Sequence, residues 1–368
     1  MAKALHGMQS VSTIDMNTKY LKIDVNNLNP DDLSEAGEII KNGGLVAFPT
    51  ETVYGLGGDG LNKESSKKIY EAKGRPSDNP LIIHIAELKD LFTITSMVSD
   101  KALMLADKFW PGPLTMILKK ADCVPSETTG GLDTVAVRMP DDKIALEFIK
   151  KAGGFVAAPS ANISGRPSPT NAVHVAADMD GRIDMIIDGG SSIIGLESTI
   201  VDMTEDTPII LRPGYISINA LSRVVGDVVY DAAILETGND EAPRAPGMKY
   251  KHYAPKGELA IVKGEKEKVI DYIKKQAKDA LAEGERVGII ATEETYLNYS
   301  ATVVQNIGSR DDEATIARRL YAVLREFDED NITRIYSEEF DTPNMGQAIM
   351  NRLIKAAGHH IISLSSDK

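Results

Sequence analysis

Cysteine and tryptophan occur once each in this 368-residue chain, and aromatic residues make up only 5% of it. With Cys123 alone, no intramolecular disulfide can form, which fits a reducing compartment. The 6 histidines are scattered and no HExxH spacing occurs, so the usual zinc-enzyme patterns are missing. No apolar run approaches the ~18 residues that a membrane span needs. The first 20 residues lack the apolar stretch of a signal peptide and read as a loosely attached tail. These absences predict a cytoplasmic protein with no membrane partner. Positive charge is also scarce: 41 basic against 54 acidic side chains leave a net −13, a poor match for non-specific nucleic-acid binding. The pair Gly-Lys occurs nowhere, which excludes a Walker loop.

The length favours two domains. Between Leu45 and Ile85 an apolar run meets Pro49 and gives way to a loop rich in hydroxyls and glycine. A short helical pattern then ends in KGRPSDNP, and a second apolar run, LIIHI, carries His84. Strand, polar loop, helix, cationic loop and strand is how an α/β fold builds a small-molecule site at its strand ends. Lys73 and Arg75 lie between elements that should be buried. Either they favour a helix C-terminus or they bind phosphate; the guanidinium fork of Arg75 suits the latter. Gly55, Gly57 and Gly60 satisfy G-x-G-x-x-G, but no helix starts directly after them, so a turn with positive φ is the simpler expectation. Arg138, in the strand-like run VAVRMP, requires an anionic partner if buried, and a substrate carboxylate would satisfy it bidentately.

Elements in the first domain, residues 31–229, do not alternate strictly, with helices near Ser34–Lys41 and Lys101–Phe109 and strands near Leu114–Leu118, Thr134–Arg138 and Ile209–Leu211. A mixed twisted sheet with helices is the expectation. The second domain, residues 258–368, alternates regularly. Strand-like runs at Leu259–Val262, Val287–Ala291, Thr302–Ile307, Ile332–Tyr336 and Ile361–Leu364 are separated by helical spacings of Val269, Ile273, Ala277, Leu281 and of Ile316, Leu320, Leu324, Phe327. A small doubly wound, Rossmann-like parallel sheet of about five strands follows. Residues 1–30 read as the tail and 230–257 as a linker, acidic then basic, ending in RAPGMKYKHYAPK. Its aromatics among lysines suit a lid that folds over a bound nucleotide, with Tyr253 reaching the nucleotide and Lys249 or His252 assisting; a solvated spacer is the alternative.

LVAFPTETVYG, KGRPSDNP, VAVRMP, APSANISGRPSPT, LESTIVD and ILRPG together resemble the Sua5/YrdC/YciO family in its long two-domain form, from about Asp31 to Ile362. The resemblance implies a YrdC-like catalytic domain and synthesis of threonylcarbamoyl-adenylate from L-threonine, bicarbonate and ATP. That adenylate supplies a transferase that modifies the adenosine beside the anticodon of tRNA, so tRNA itself is met only indirectly or weakly. It implies threonine contacts at Thr52, His84, Arg138, Ser198 and the backbone of Ala158. ATP contacts are implied at Lys73, Arg75, Asn79, Thr134, Ser160, Ser168 and Arg212. Mg²⁺ is expected through the ATP phosphates, since no dedicated carboxylate cage is visible, and no organic cofactor is expected. No Ser-His-Asp order is evident, so no covalent intermediate is expected and the general base is unassigned. On residues alone a lone histidine in such an apolar run is more often a satisfied core or edge residue than a catalytic one. An RNA-binding module, or a carbamoyl- or nucleotide-hydrolysing enzyme of the same fold, is the alternative reading.

Overall fold

The computed structural model describes residues 17–235 and 253–364, apart from 341 and 344. Two sheets organise the chain. The first has eleven strands. Across it run Lys19–Lys22, Met185–Asp188, Val46–Phe48, Gly55–Asp59, Val156–Ala158, Ile82–His84, Thr134–Arg138, Leu114–Lys119, Thr199–Asp202, Ile209–Arg212 and Val229–Tyr230. Parallel and antiparallel neighbours are interspersed, so the sheet is mixed, as expected. Alternation along each strand divides the core between its two faces. Leu45 and Ala47 join one apolar cluster with Ile186 and Ala157, while Val46 and Phe48 join another with Ile187 and Val156. Helices Lys63–Lys73, Asp100–Phe109 and Ala172–Met179 cover the first face; Ser34–Lys41 and Lys143–Lys151 cover part of the second.

The second sheet has five strands, all parallel: Val303–Asn306, Val287–Ala291, Arg334–Glu338, Glu258–Lys263 and Ile361–Ser363 in spatial order. Helix Lys266–Ala282 packs on one face, and Glu313–Glu329 with Gly346–Ala356 on the other, giving the doubly wound architecture. Among the described residues no helix is long and apolar enough to cross a membrane.

Four sequence expectations need correction. Residues 19–22, read as tail, form the edge strand of the first sheet, where Ile23 enters the core. At the other end the chain stays with the first sheet through Val229–Tyr230, then makes the helical turn Ala232–Leu235. Residues 236–252 of the acidic-then-basic segment, with Lys249 and His252, lie outside the described residues. In helix Lys266–Ala282 the buried stripe continues through Ala280, and Leu281 is exposed. Two of the G-x-G-x-x-G glycines lie in a strand, Gly55–Asp59, paired antiparallel with Val46–Phe48; Gly60 opens the turn that follows, and none of Gly55, Gly57 and Gly60 has positive φ. Their reason is space. A Cβ on Gly57 would lie 2.8 Å from Val156 Cγ1 and 3.2 Å from the Val46 carbonyl. Gly74 is different: it caps helix Lys63–Lys73 at φ 62° with nothing within 4 Å of a Cβ. Gly57→Ala should therefore destabilise by about 1–3 kcal/mol in urea unfolding through overpacking. Gly74→Asn, which tolerates the left-handed region, should change stability by less than about 0.5 kcal/mol. Equal losses at both would contradict the close-packing account.

Candidate active site

The register of the first sheet lines up the chemistry. His84 and Arg138 are direct partners in the parallel pair, and Thr115 faces Arg138 from the next strand. Ala158 is opposite Ile82, two residues before His84, and so on the same face. That face carries the apolar cluster Ile82, Ile117, Ala136, Ile200 and Leu211. Strict alternation would turn Arg212 away from this cluster, because Leu211 belongs to it. The register of the pair Thr199–Asp202 and Ile209–Arg212 shifts between Ile210 and Arg212, and this irregularity re-aims Arg212 into the site.

The result is one cleft. It brings together Thr52, His84, Arg138, Ala158 and Ser198 with Lys73, Arg75, Ser160, Arg212 and Tyr253. His84 donates from Nδ1 to the Ile82 carbonyl at 3.1 Å, and its ring stands edge-on to Phe48. Burial and the neighbouring Arg138 charge push its pKa down to about 3, so the ring is neutral at physiological pH. Thr52 and Thr50 share a hydroxyl contact of 2.9 Å within the hairpin loop, and Ser198 and Thr115 share one of 2.7 Å. Arg212 donates from Nη2 to the Ser198 hydroxyl and from Nε to its carbonyl, both at 3.1 Å.

Several of the expected contact residues have partners within the protein. Arg138 already has a carboxylate: its Nη2 lies 2.5 Å from Glu51 Oε2, both side chains buried. A substrate carboxylate therefore meets a guanidinium with one end engaged, not a full fork. Lys73 points inward and donates to the carbonyls of Ser160 and Asn162, tying its helix to the serine-rich loop. Burial, reinforced by Arg75, holds its pKa well below the ordinary lysine value. The Arg75 guanidinium folds back on the Asn79 and Pro80 carbonyls at 3.1 and 3.0 Å, and burial brings it to about 10. Three expected ATP contacts do not line the cleft. Asn79 is buried under the cationic loop with both side-chain polar atoms unbonded. Thr134 opens its strand opposite Lys119, four residues from Arg138 and at the strand's other end. Ser168 is fully buried and donates to Glu197 Oε1 at 2.5 Å.

Sequence reading missed Glu51 and Glu197. Each is an acidic residue in a stretch that had to be buried, within TETV and LEST, which was the available signal. Glu197 lines the cleft and accepts hydrogen bonds from Ser168, Tyr321 and Arg352. Burial alone would raise its pKa, but the Arg352 and Arg212 charges and those hydrogen bonds bring it down to about 2. No group of three or more potential metal ligands occurs among the described residues.

A cleft with a neutral histidine, paired hydroxyls and several buried cations defines a class of site that binds a small polar substrate beside a polyanion. Comparisons with known proteins agree. A family profile described as "Telomere recombination" (Sua5/YciO/YrdC) matches residues 38–214. A second, described as "Threonylcarbamoyl-AMP synthase, C-terminal domain", matches residues 216–358. The chain is 46% identical to a threonylcarbamoyl-AMP synthase of Bacillus subtilis over 94% of its length and all of that protein. It is 47% identical to the Pyrococcus abyssi enzyme of the same name over 89% of this chain and 95% of that one. The crystal structure of P. abyssi Sua5 complexed with L-threonine superposes with a TM-score of 0.88 at 44% identity, covering 95% of this chain and 99% of that one. The chain belongs to the Sua5/YrdC/YciO family of nucleotidyl-transferring enzymes, in its long two-domain Sua5 form.

The neutral state of His84 has a pH consequence. The folded state resists protonation that the unfolded chain accepts below its ordinary value of 6.5, so this contribution is complete above that pH. It is lost as pH falls from about 6.5 towards 3, and His174, pushed down to about 4, adds to the same loss. Glu197 acts only at lower pH, because its unfolded carboxyl titrates near 4.5. Urea stability should therefore decline between about pH 6.5 and 5, and NMR should show no His84 ring titration above about pH 5. A ring midpoint near 6.5 would overturn this assignment.

Proposed function

We propose that this chain is an L-threonylcarbamoyladenylate synthase, forming threonylcarbamoyl-AMP and pyrophosphate from L-threonine, bicarbonate and ATP. The single observation that supports the reading is that one cleft gathers two kinds of lining residue. His84, Arg138, Thr52, Ser198 and the Ala158 backbone form a small polar pocket suited to an amino acid. Arg75, Arg212, Ser160 and Tyr253 line the same cleft with donors and an aromatic ring suited to a nucleotide. The names of the relatives, and L-threonine in one of their structures, support the same assignment.

The chemistry needs no covalent enzyme intermediate. The threonine amine adds to CO₂ with loss of a proton, or to bicarbonate with loss of water, to give a carbamate. A carbamate oxygen then attacks the α-phosphorus of ATP and pyrophosphate departs. The protein contributes position and charge compensation. Arg138, held from one end by Glu51, presents its remaining donors to the threonine carboxylate. Neutral His84 borders the amino-acid side without adding a charge that would repel the ammonium group. Arg75 and Arg212 lie towards the phosphates, and Lys73 keeps the serine-rich loop against the cationic loop. Mg²⁺ would be carried by the ATP phosphates, whose charge it offsets. The cleft's own carboxylate, Glu197, has both oxygens engaged by Ser168, Tyr321 and Arg352. The adenylate would then serve a separate transferase acting on tRNA, and the net charge of −13 disfavours a direct nucleic-acid role.

The purified chain should release pyrophosphate from ATP and Mg²⁺ only when threonine and bicarbonate are both present. Serine, one methyl smaller, should be about 10- to 200-fold poorer. Equal release with ATP alone would refute the reading, and no turnover at all would favour a binding module. Arg75→Ala should weaken ATP binding by about one to two decades while threonine binding stays measurable by calorimetry. Simultaneous loss of both ligands in a folded variant would remove Arg75 from the nucleotide side.

A further inference from the structure

The second domain reaches the cleft through a polar contact, not only an apolar one. Arg318, Tyr321 and Arg325 share one face of helix Glu313–Glu329, at the i, i+3, i+7 spacing. Arg318 Nε donates to the Ile193 carbonyl at 2.8 Å. Beneath it, a Cβ on Gly195 would come within 2.5 Å of Arg318 Cα, so a glycine is required for the helix to sit this close. Arg325 donates to the Pro167 carbonyl at 2.6 Å and pairs with buried Asp178 at 2.8 Å. Tyr321 donates to Glu197, with its hydroxyl 3.0 and 2.8 Å from the two carboxylate oxygens. From helix Gly346–Ala356, fully buried Arg352 adds a 3.1 Å bond to Glu197 Oε2 and donates to the Pro213 carbonyl.

These attachments fall on three segments that build the cleft. Pro167 precedes Ser168 in the serine-rich loop, Glu197 precedes Ser198, and Pro213 follows Arg212. Tyr253 joins them from the linker, its ring 5.1 Å from that of Tyr321. Glu197 is the shared point, because its Oε1 also accepts from Ser168 on the first-domain side. An apolar interface of the same area would dock two domains at least as well, since buried ion pairs add little net stability. What a carboxylate held by donors from both domains adds is a defined geometry at the cleft wall.

We propose that Tyr321 and Arg352 are positioning residues for the nucleotide side of the active site. Through Glu197 and Pro213 they hold the segments of Ser168 and Arg212, and they give Tyr253 its backing. The second domain is thus part of the ATP site, and ATP binding and domain docking strengthen each other. This rests on the nucleotide reading of the cleft given above.

The test uses the full-length chain and a double-mutant cycle. Tyr321→Phe keeps the ring against Tyr253 and removes the hydroxyl given to Glu197; Ser168→Ala removes the other donor from the first-domain side. Calorimetry with ATP–Mg²⁺ and, separately, with L-threonine should show Tyr321→Phe weakening ATP roughly tenfold and threonine less than about twofold. The double variant should lose little more than the worse single variant, because both act through one carboxylate. Unchanged ATP affinity in folded Tyr321→Phe, or losses that simply multiply, would overturn the coupling. If Tyr321→Phe does not fold by circular dichroism, Arg352→Lys takes its place in the same cycle with the same expected pattern. Arg334→Ala, in an exposed ion pair with Glu258 in the second domain, should bind ATP as the wild type does. An equal loss there would point to general softening and overturn the proposal. A wild-type chain that binds no ATP would overturn the reading of the cleft together with this coupling. A wild type that binds ATP, with the variants unaffected, would overturn the coupling alone.

Discussion

A carboxylate taken out of water needs donors around it, and at Glu197 those donors come from both domains. Ser168 approaches from the serine-rich loop, and Tyr321 and Arg352 from two helices of the second domain. Two other buried pairs share this character: Glu51 with Arg138 beneath the hairpin loop, and Asp178 with Arg325 across the domain boundary. Removing one partner of such a pair leaves an uncompensated charge and costs about 3–5 kcal/mol. Exposed pairs such as Lys41 with Glu38 contribute about 0–1 kcal/mol and decide nothing about the fold. Cleft shape and domain arrangement therefore rest on a few buried charges.

The first sheet supplies the frame in which those charges sit. Parallel pairing places His84 beside Arg138, and one register irregularity sends Arg212 to their side of the sheet. Glycine in the strand Gly55–Asp59 lets Phe48 and Val156 close over it, so the hydroxyl loop before it is held at both ends. The cations are not equivalent. Lys73 is spent on backbone carbonyls and burial lowers its pKa, while Arg75 and Arg212 line the cleft. A site for a polyanion gains from this grading: enough positive charge to compensate phosphates, with part of it committed to holding loops.

The sequence displayed the second sheet well and the first sheet in part. Strands such as Val287–Ala291 are buried on both faces and read as unbroken apolar runs, so their pattern survives without context. GLGGD has no β propensity and becomes a strand only because Val46–Phe48 and Val156–Ala158 flank it. The residue types of the cleft were legible in TETV, KGRP, VAVRMP and LEST. Their pairings were not, because Glu51 meets Arg138 87 residues away and Glu197 meets Arg352 155 residues away. For that reason Arg138 read as awaiting a substrate carboxylate when a protein carboxylate already held it. Ser168 read as a phosphate donor for the same reason, although its hydroxyl is given to Glu197.

In the proposed reaction one cleft joins an amino acid, a one-carbon unit and a nucleotide. The most direct measurement is mass spectrometry of the adenylate formed from ATP, L-threonine and ¹³C-bicarbonate. The expected product is an adenylate that carries both threonine and the ¹³C label in its carbamoyl group. An adenylate bearing threonine without the label, or pyrophosphate release with no adenylate, would contradict it.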